Sequence, residues 1–470
     1  MKVKYLIFIA LVLSLVSSCI EDGFTTSSSD VLEFSVDTLA FDTILTEEGT
    51  PTAKFLVYNR HKKMLNISSI RVKGESEAKF YLNVDGMKGE EFHNVEVRGQ
   101  DSIYVFVQAY VGATSSLDPV EFIDNIEFIT NGVEQRVALS AWALDVHRIN
   151  GDTITEDTRF TAQRPYVIFD TLTVAPGATL TIDPGATLMF HDKAALRVEG
   201  TLKAIGSQEK FIHFRGDRLG NVLPDVTYDM MAGQWGGVLF MGDSFDNEMQ
   251  YVYMRGSSNG VIADSCGVEN RKLHIFNSIL HNSAGIVLTT IHSWVEAEGV
   301  EFSDASQAVF LGYGGKLRFS NCTFANYYLF SAISLPILTL GYVSPDEKLE
   351  SPLMDACFDN CIFYGNTYDI NIGSFDNTDV YIRNCLFKAN GEDDDHFTSC
   401  VWGGDPKFYT VRADYYFDYR LKDESDAIAK GDPSLLPEHA RFDMLGNDRL
   451  AGGALDLGAY RYIPQPEEEE

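Results

Sequence analysis

Positive charge is scarce in this chain. Its 37 Lys and Arg stand against 68 Asp and Glu, a formal net charge of -31 over 470 residues. Such a surface repels phosphate backbones, which excludes nucleic acid as a partner and weighs against polyanionic glycans. Paired metal-ligand spacings are also missing. The ten histidines include no HExxH and the seven cysteines no CxxC, so spacing alone offers no zinc or other metal site. No segment carries a helical apolar stripe, which excludes helix bundles and βαβ folds. The first apolar run, residues 5–16, is too short to span a bilayer.

What is present is a beat of eight residues. Leu172, Leu180, Leu188 and Leu196 are evenly spaced, and Pro176-Gly177-Ala178-Thr179 returns as Pro184-Gly185-Ala186-Thr187. Each unit is a short alternating strand closed by a turn, and three units make a coil of 24 residues, from Leu172 to Leu196. A chain that turns a corner every eight residues reads as a parallel β-helix. The beat begins near 150 and runs to about 400, interrupted at 217–234 and restarted at Trp235-Gly236-Gly237. Later coils align on turn residues Asn277, Gly299, Asn321, Asn360 and Asn384. Period-two parity then puts Leu273, Val295, Leu317, Ala356 and Val380 in one inward column and Ile275, Ala297, Phe319, Phe358 and Ile382 in another. After the turn, Cys322, Cys361 and Cys385 stack as small apolar residues, followed by Phe302, Phe324, Phe363 and Phe387. The asparagines are expected along one corner, their amides bonding to each other in a ladder.

The N-terminus is a targeting segment. Lys2 and Lys4 precede the apolar run, and Val16-Ser17-Ser18-Cys19 follows it. This resembles a bacterial lipobox, which implies removal of residues 1–18 and lipidation of Cys19, enough acyl chain for stable membrane attachment. Glu21-Asp22 resembles the surface-export signal of Bacteroidetes-type lipoproteins, which implies an outer-membrane protein facing the exterior; an ordinary periplasm-facing lipoprotein is the alternative. Five Asp-(Ser/Thr)-aliphatic triplets, at Asp37, Asp42, Asp101, Asp152 and Asp170, resemble the O-glycosylation signal of the same exported proteins.

A polar tether spans 19–30. Residues 31–146 then read as about seven alternating strands, an antiparallel β-sandwich. Strand 54–59 ending in Asn59 and a later strand opening at Asp101-Ser102-Ile103 resemble immunoglobulin-like domains of the Hydin type. At the other end, Asp405-Pro406, Asp418-Tyr419-Arg420-Leu421, Gly446-Asn447-Asp448-Arg449 and Asp456-Leu457-Gly458-Ala459-Tyr460 come in sequence. This order resembles the closing segment of secreted right-handed parallel β-helix proteins of the pectate-lyase-like kind, with Asp426 and Arg461 departing from the pattern. It implies a C-terminal cap over 401–463, leaving 464–470 as an acidic tail.

Chemistry, if present, belongs on the outward face of the strand before the Asn corner. His274, Glu296 and Arg318 align there, with Glu298 beside them. An imidazole, a carboxylate and a guanidinium are the parts that proton abstraction next to a uronate needs. The same residues also make an ordinary exposed charge ladder, with Glu296 over Arg318. Tyr313, Tyr327, Tyr328, Tyr342, Tyr364 and Tyr368 form an aromatic supply for stacking sugars, or simply cover coil edges. Of these, Tyr313, Tyr327 and Tyr328 are the candidate binding residues. The acidic stretch 391–396 offers oxygen ligands for Ca²⁺ but lacks the spacing of a calcium loop, and no other cofactor is expected. Gly256-Ser257-Ser258-Asn259-Gly260 fits GxSxG by letter but opens a strand rather than a helix, so it reads as a turn. The sequence therefore implies an all-β, lipid-anchored envelope protein: a sandwich stalk carrying a right-handed β-helix that binds glycan or an envelope protein without catalysis. A polysaccharide lyase or glycoside hydrolase, and a scaffold subunit of an envelope assembly, are the alternatives.

Overall fold

Alternation of apolar and polar residues, with no helical period, leaves strand as the only regular structure this chain can bury, and strands dominate it. A computed structural model describes residues 23–223, 226–341, 353–372, 379–411 and 416–464, with only the backbone given for Leu353 and Met354. The leader, Cys19, Tyr342 and nearly all of the acidic tail lie outside the described residues. The chain divides into two units, Met1–Asp145 and Val146–Glu470.

The first unit is a β-sandwich. Eleven strands form a five-stranded and a six-stranded sheet, almost wholly antiparallel. The exception is Thr38–Leu45, which runs parallel to Val133–Leu144 at the edge. Long strands such as Asp101–Tyr110 alternate strictly, burying Ile103, Val105, Val107 and Ala109. Those residues share a core with Ile126, Phe128, Val137 and Leu139 of the other sheet. The strand count exceeds the expected seven because pieces as short as Met87–Gly89 and Glu91–Phe92 pair at the edges. Residues 23–30, expected as a free tether, lie against this sandwich. Thr25 N–H donates to the Met64 carbonyl, and Asn131 Nδ2 donates to the Ser27 and Asp30 carbonyls.

The second unit is a parallel β-helix. Successive strands enter three sheets in turn, of eleven, nine and ten strands, and every pairing within them is parallel. The eight-residue beat is literal. Leu172 pairs with Leu196 in the second sheet, while Leu180 and Leu188 fall in the third and first. Stacking like on like fills the interior. Phe302, Phe324, Phe363, Phe387 and Trp402 form a continuous pile with centroids 5.0, 4.9, 5.3 and 4.8 Å apart. Phe319 lies flat on Phe358 at 5.0 Å. Cys322, Cys361 and Cys385 are fully buried free thiols, pushed up in pKa by burial and inert as small apolar groups. The 217–234 interruption holds a small antiparallel hairpin, after which Trp235 re-enters the core on Phe190 at 4.2 Å.

The corner between the third and first sheets differs from expectation in one respect. Asn277, Asn321, Asn360 and Asn384 do stand in one column, each in the left-handed region with φ of 41°, 49°, 55° and 50°. Asn tolerates that conformation better than residues without a short polar side chain. Coil-to-coil bonding along the corner is done by the backbone, each Asn N–H donating to the carbonyl of the next coil. The side-chain amides turn outward instead. They donate to carbonyls of the C-terminal segment: Asn277 to Phe442, Asn321 to Asp456, Asn360 to Asp432 and Asn384 to Lys430. Only Asn360 and Asn321 also bond to each other, at 3.4 Å. Gly299 occupies the column where a Cβ would meet Asn277 Oδ1 at 2.3 Å and the Arg449 guanidinium at 2.8 Å.

The C-terminal segment thus runs back along the solenoid's flank. It buries Phe408, Tyr419, Leu421, Met444, Leu457 and Tyr460 against Ala325, Ile362 and Leu386, on the outward side of the first sheet. Two carboxylates trapped beneath it are paired with tyrosines of the segment. Tyr460 Oη donates to Glu301 at 2.5 Å and Tyr419 Oη to Asp304 at 2.6 Å. The first sheet's outward face in this region is therefore closed, and the segment also reaches the third sheet, where Ser320 Oγ donates to the Leu435 carbonyl.

Candidate functional site

The third sheet aligns its outward residues in two rows. Glu248, His274, Glu296, Arg318, Cys357 and Tyr381 pair in register on consecutive strands. Gln250, Phe276, Glu298, Ser320, Asp359 and Arg383 form the second row. The expected trio of His274, Glu296 and Arg318 is therefore collinear across three coils.

Its members are engaged with other partners, however. His274 lies between two carboxylates, with Nδ1 at 3.1 Å from Glu248 Oε2 and Nε2 at 2.6 Å from Glu298 Oε2. Burial pulls the His274 pKa down, but these two carboxylates outweigh it and hold it at about 9. Burial alone would raise Glu248; hydrogen bonds from His274 and Gln250 instead hold it at about 2. Glu298 is held below the usual range in the same way, by His274 and His439 against its burial.

Glu296 does not pair with Arg318. It accepts from Arg271 Nη1 at 2.9 Å and from Trp294 Nε1 at 2.9 Å, while Arg271 also reaches Glu248 at 3.2 Å. The strand Gly267–Phe276 slips register around Arg271, which aims that guanidinium between the two carboxylates. The next residue, Lys272, is fully buried and donates to the carbonyls of Met241, Gly242 and Ser244. Arg318 forks onto both carboxylate oxygens of Asp355 and donates to Cys357 Sγ at 2.8 Å. Lys316 sits 3.8 Å above the Trp294 ring, and Arg383 forks onto Asp359 at 2.7 Å through each nitrogen. The face is a belt of mutually neutralised charges. A general base needs a proton-accepting group near its working pH, and His274 is a cation at neutrality.

The aromatic candidates have these surroundings. Tyr313 ends a strand of the second sheet and is half-buried. Tyr327 lies over Tyr419 at 6.3 Å, in the cluster beneath the C-terminal segment. Tyr328 meets Phe330 edge-on at 5.9 Å. In the acidic stretch, Asp393 accepts from Ser399 N, Cys400 N and Trp402 Nε1, and Asp394 from His396 N and Phe397 N, so both carboxylates are committed to turns. Ser257 Oγ accepts from Gly260 N at 3.0 Å within a turn that leads into the strand Val261–Ala263. A shallow hollow lined by Tyr81, Lys88, Glu90, Phe106 and Gln108 belongs to the sandwich and holds none of the candidate residues.

One participant was invisible to spacing. His439, on the short turn Glu438–Ala440, brings Nε2 to 3.7 Å from Glu298 Oε2. Its ring stands 6.0 Å from that of His274 and 5.7 Å from Phe276. No sequence signal marks it, because it arrives on the C-terminal segment that the Asn corner fastens beside this row.

No protein family matches the chain, and no curated protein matches it. Among solved structures, one match is to a family 123 glycoside hydrolase from Clostridium perfringens, described in terms of glycolipid glycan hydrolysis. The identity is 10%, the match covers 24% of this chain and 26% of that one, and the TM-score is 0.17. It spans about a quarter of that enzyme's chain and transfers neither fold nor chemistry.

Proposed function

We propose that this chain is a lipid-anchored envelope protein whose solenoid offers a non-enzymatic binding or structural surface to a glycan or an envelope partner. The observation that supports this reading is the saturation of the third sheet's outward face. His274, Glu296 and Arg318 each have charged partners already, and none is left as the base or neutralising cation of an elimination. In this reading Cys19 carries the lipid and the protein faces outward from the outer membrane.

The decisive test incubates the full chain with a panel of uronic-acid polymers and reads the absorbance of unsaturated products, alongside a glycan array and a pull-down from envelope extracts. No product with selective retention of one glycan or one envelope protein is expected. Product formation that His274→Ala or Glu296→Gln abolishes would overturn the proposal. Replacing Cys19 with Ala should release the protein from membranes, and protease shaving of intact cells should degrade the wild type.

A further inference from the structure

Among the described residues, one group of side chains has the composition and closeness of a metal site: His274, Glu298 and His439, whose ligand atoms all lie within 4.8 Å of one another. They come from two strands of the third sheet and from the C-terminal segment. We propose that these three residues bind a divalent metal of the Zn²⁺ class, which clasps the C-terminal segment to the solenoid.

Two imidazoles and one carboxylate are a donor set for borderline transition metals; Ca²⁺ and Mg²⁺ prefer oxygen. Zinc bonds of about 2.0–2.2 Å in tetrahedral geometry put ligand atoms roughly 3.4 Å apart. Here one separation, His274 to Glu298, is 2.6 Å and another, His439 to Glu298, is 3.7 Å. Sub-ångström adjustments in opposite senses bring both to the required value. His439, whose side chain is 57% exposed on a short turn, can close the second gap, while the first requires the Glu298 carboxylate to rotate away from His274.

A second observation points the same way. Metal-bound imidazoles are oriented by a carboxylate on their other nitrogen. His274 has Glu248 at 3.1 Å on Nδ1, and Gln250 holds that carboxylate at 2.7 Å. Nε2 is thereby aimed at Glu298 and His439, and the metal takes the place of the proton that Nε2 now shares with Glu298, releasing it to solvent. Phe276 walls one side against the His439 ring. The exposed side of His439 leaves a fourth position open to water, as in three-ligand zinc sites. This inference stands apart from the proposed function, because a clasp serves a binding surface and an enzyme alike.

The test uses the full chain, stripped with a chelator and then titrated with ZnCl₂ against a chromophoric competitor. One equivalent should bind. His439→Ala and Glu298→Gln should each weaken binding by about tenfold or more, with the circular dichroism spectrum of His439→Ala unchanged. His93→Ala, which removes a surface histidine of the sandwich, should leave affinity unaltered. Zn²⁺ should slow hydrogen exchange across residues 438–449 in the wild type but not in His439→Ala, and Co²⁺ should give a four-coordinate electronic spectrum. Absence of stoichiometric binding, or equal affinity in wild type and His439→Ala, would overturn the proposal.

Discussion

Asn360 carries the sharpest test of how the C-terminal segment is held. It is fully buried and left-handed, with φ of 55°. Its Oδ1 accepts from Asp432 N at 2.8 Å, and its Nδ2 donates to Asp432 O at 3.2 Å and to Asn321 Oδ1 at 3.4 Å. Replacement by Ala removes all three bonds, at about 1 kcal/mol each. It also places a residue without a polar side chain in the left-handed region, at about 1–2 kcal/mol. Replacement by Gly loses the same bonds but relieves the backbone, at about 0.5–1 kcal/mol for its freer unfolded chain. Hydrogen exchange reads the consequence at two amides the corner protects, Asp432 N and Gly458 N, the latter bonded to Asn360 O at 2.8 Å. With 1.4 kcal/mol worth a factor of ten, Asn360→Ala should cut their protection by about a hundredfold or more if opening is local. Asn360→Gly should cut it several-fold less. Unchanged protection in both variants would refute the corner as the attachment line. Equal loss in both would refute the role of the left-handed backbone.

Phe358→Ala, in the stack with Phe319, should destabilise the solenoid by about 3–5 kcal/mol, read as a lower urea midpoint; a loss under 1 kcal/mol would show that the pile collapses freely. Burial raises the pKa of Glu301, which faces Tyr460, Ser303, His281 and Asp304, so the folded state holds its proton more tightly than the unfolded one. Stability contributed there falls as pH rises above about 4.3, the ordinary glutamate value. Glu301→Gln should therefore gain on the wild type as pH rises from about 4, and a difference that stays constant throughout a titration from acid to neutral would sink that account. Alkylation of the native protein should modify half-exposed Cys266 and Cys400 before Cys322, Cys361 and Cys385, as peptide mapping would show.

The solenoid was legible because its core repeats in space what the sequence repeats along the chain. Leu172 pairs with Leu196 because coils stack about 4.8 Å apart and each inward position meets its own kind. Parity alone therefore placed Ala297, Phe319 and Phe358 in the interior. It also aligned His274, Glu296 and Arg318, whose register is as expected. Their partners were not legible. A register slip at Arg271 and an outlying Asp355 redirected the salt bridges, and a period-two pattern carries no trace of either.

The sequence by itself determined the winding, the inward columns and the corner on which the asparagines stand, since apolar alternation and left-handed turns are local requirements. Only the tertiary structure decided what those asparagines hold, and that His439 meets His274 and Glu298. The corner amides point away from the coil, and their acceptors lie far along the chain, as with Asn277 and the Phe442 carbonyl. No local pattern encodes a contact between a repeat and the irregular segment that folds back over it.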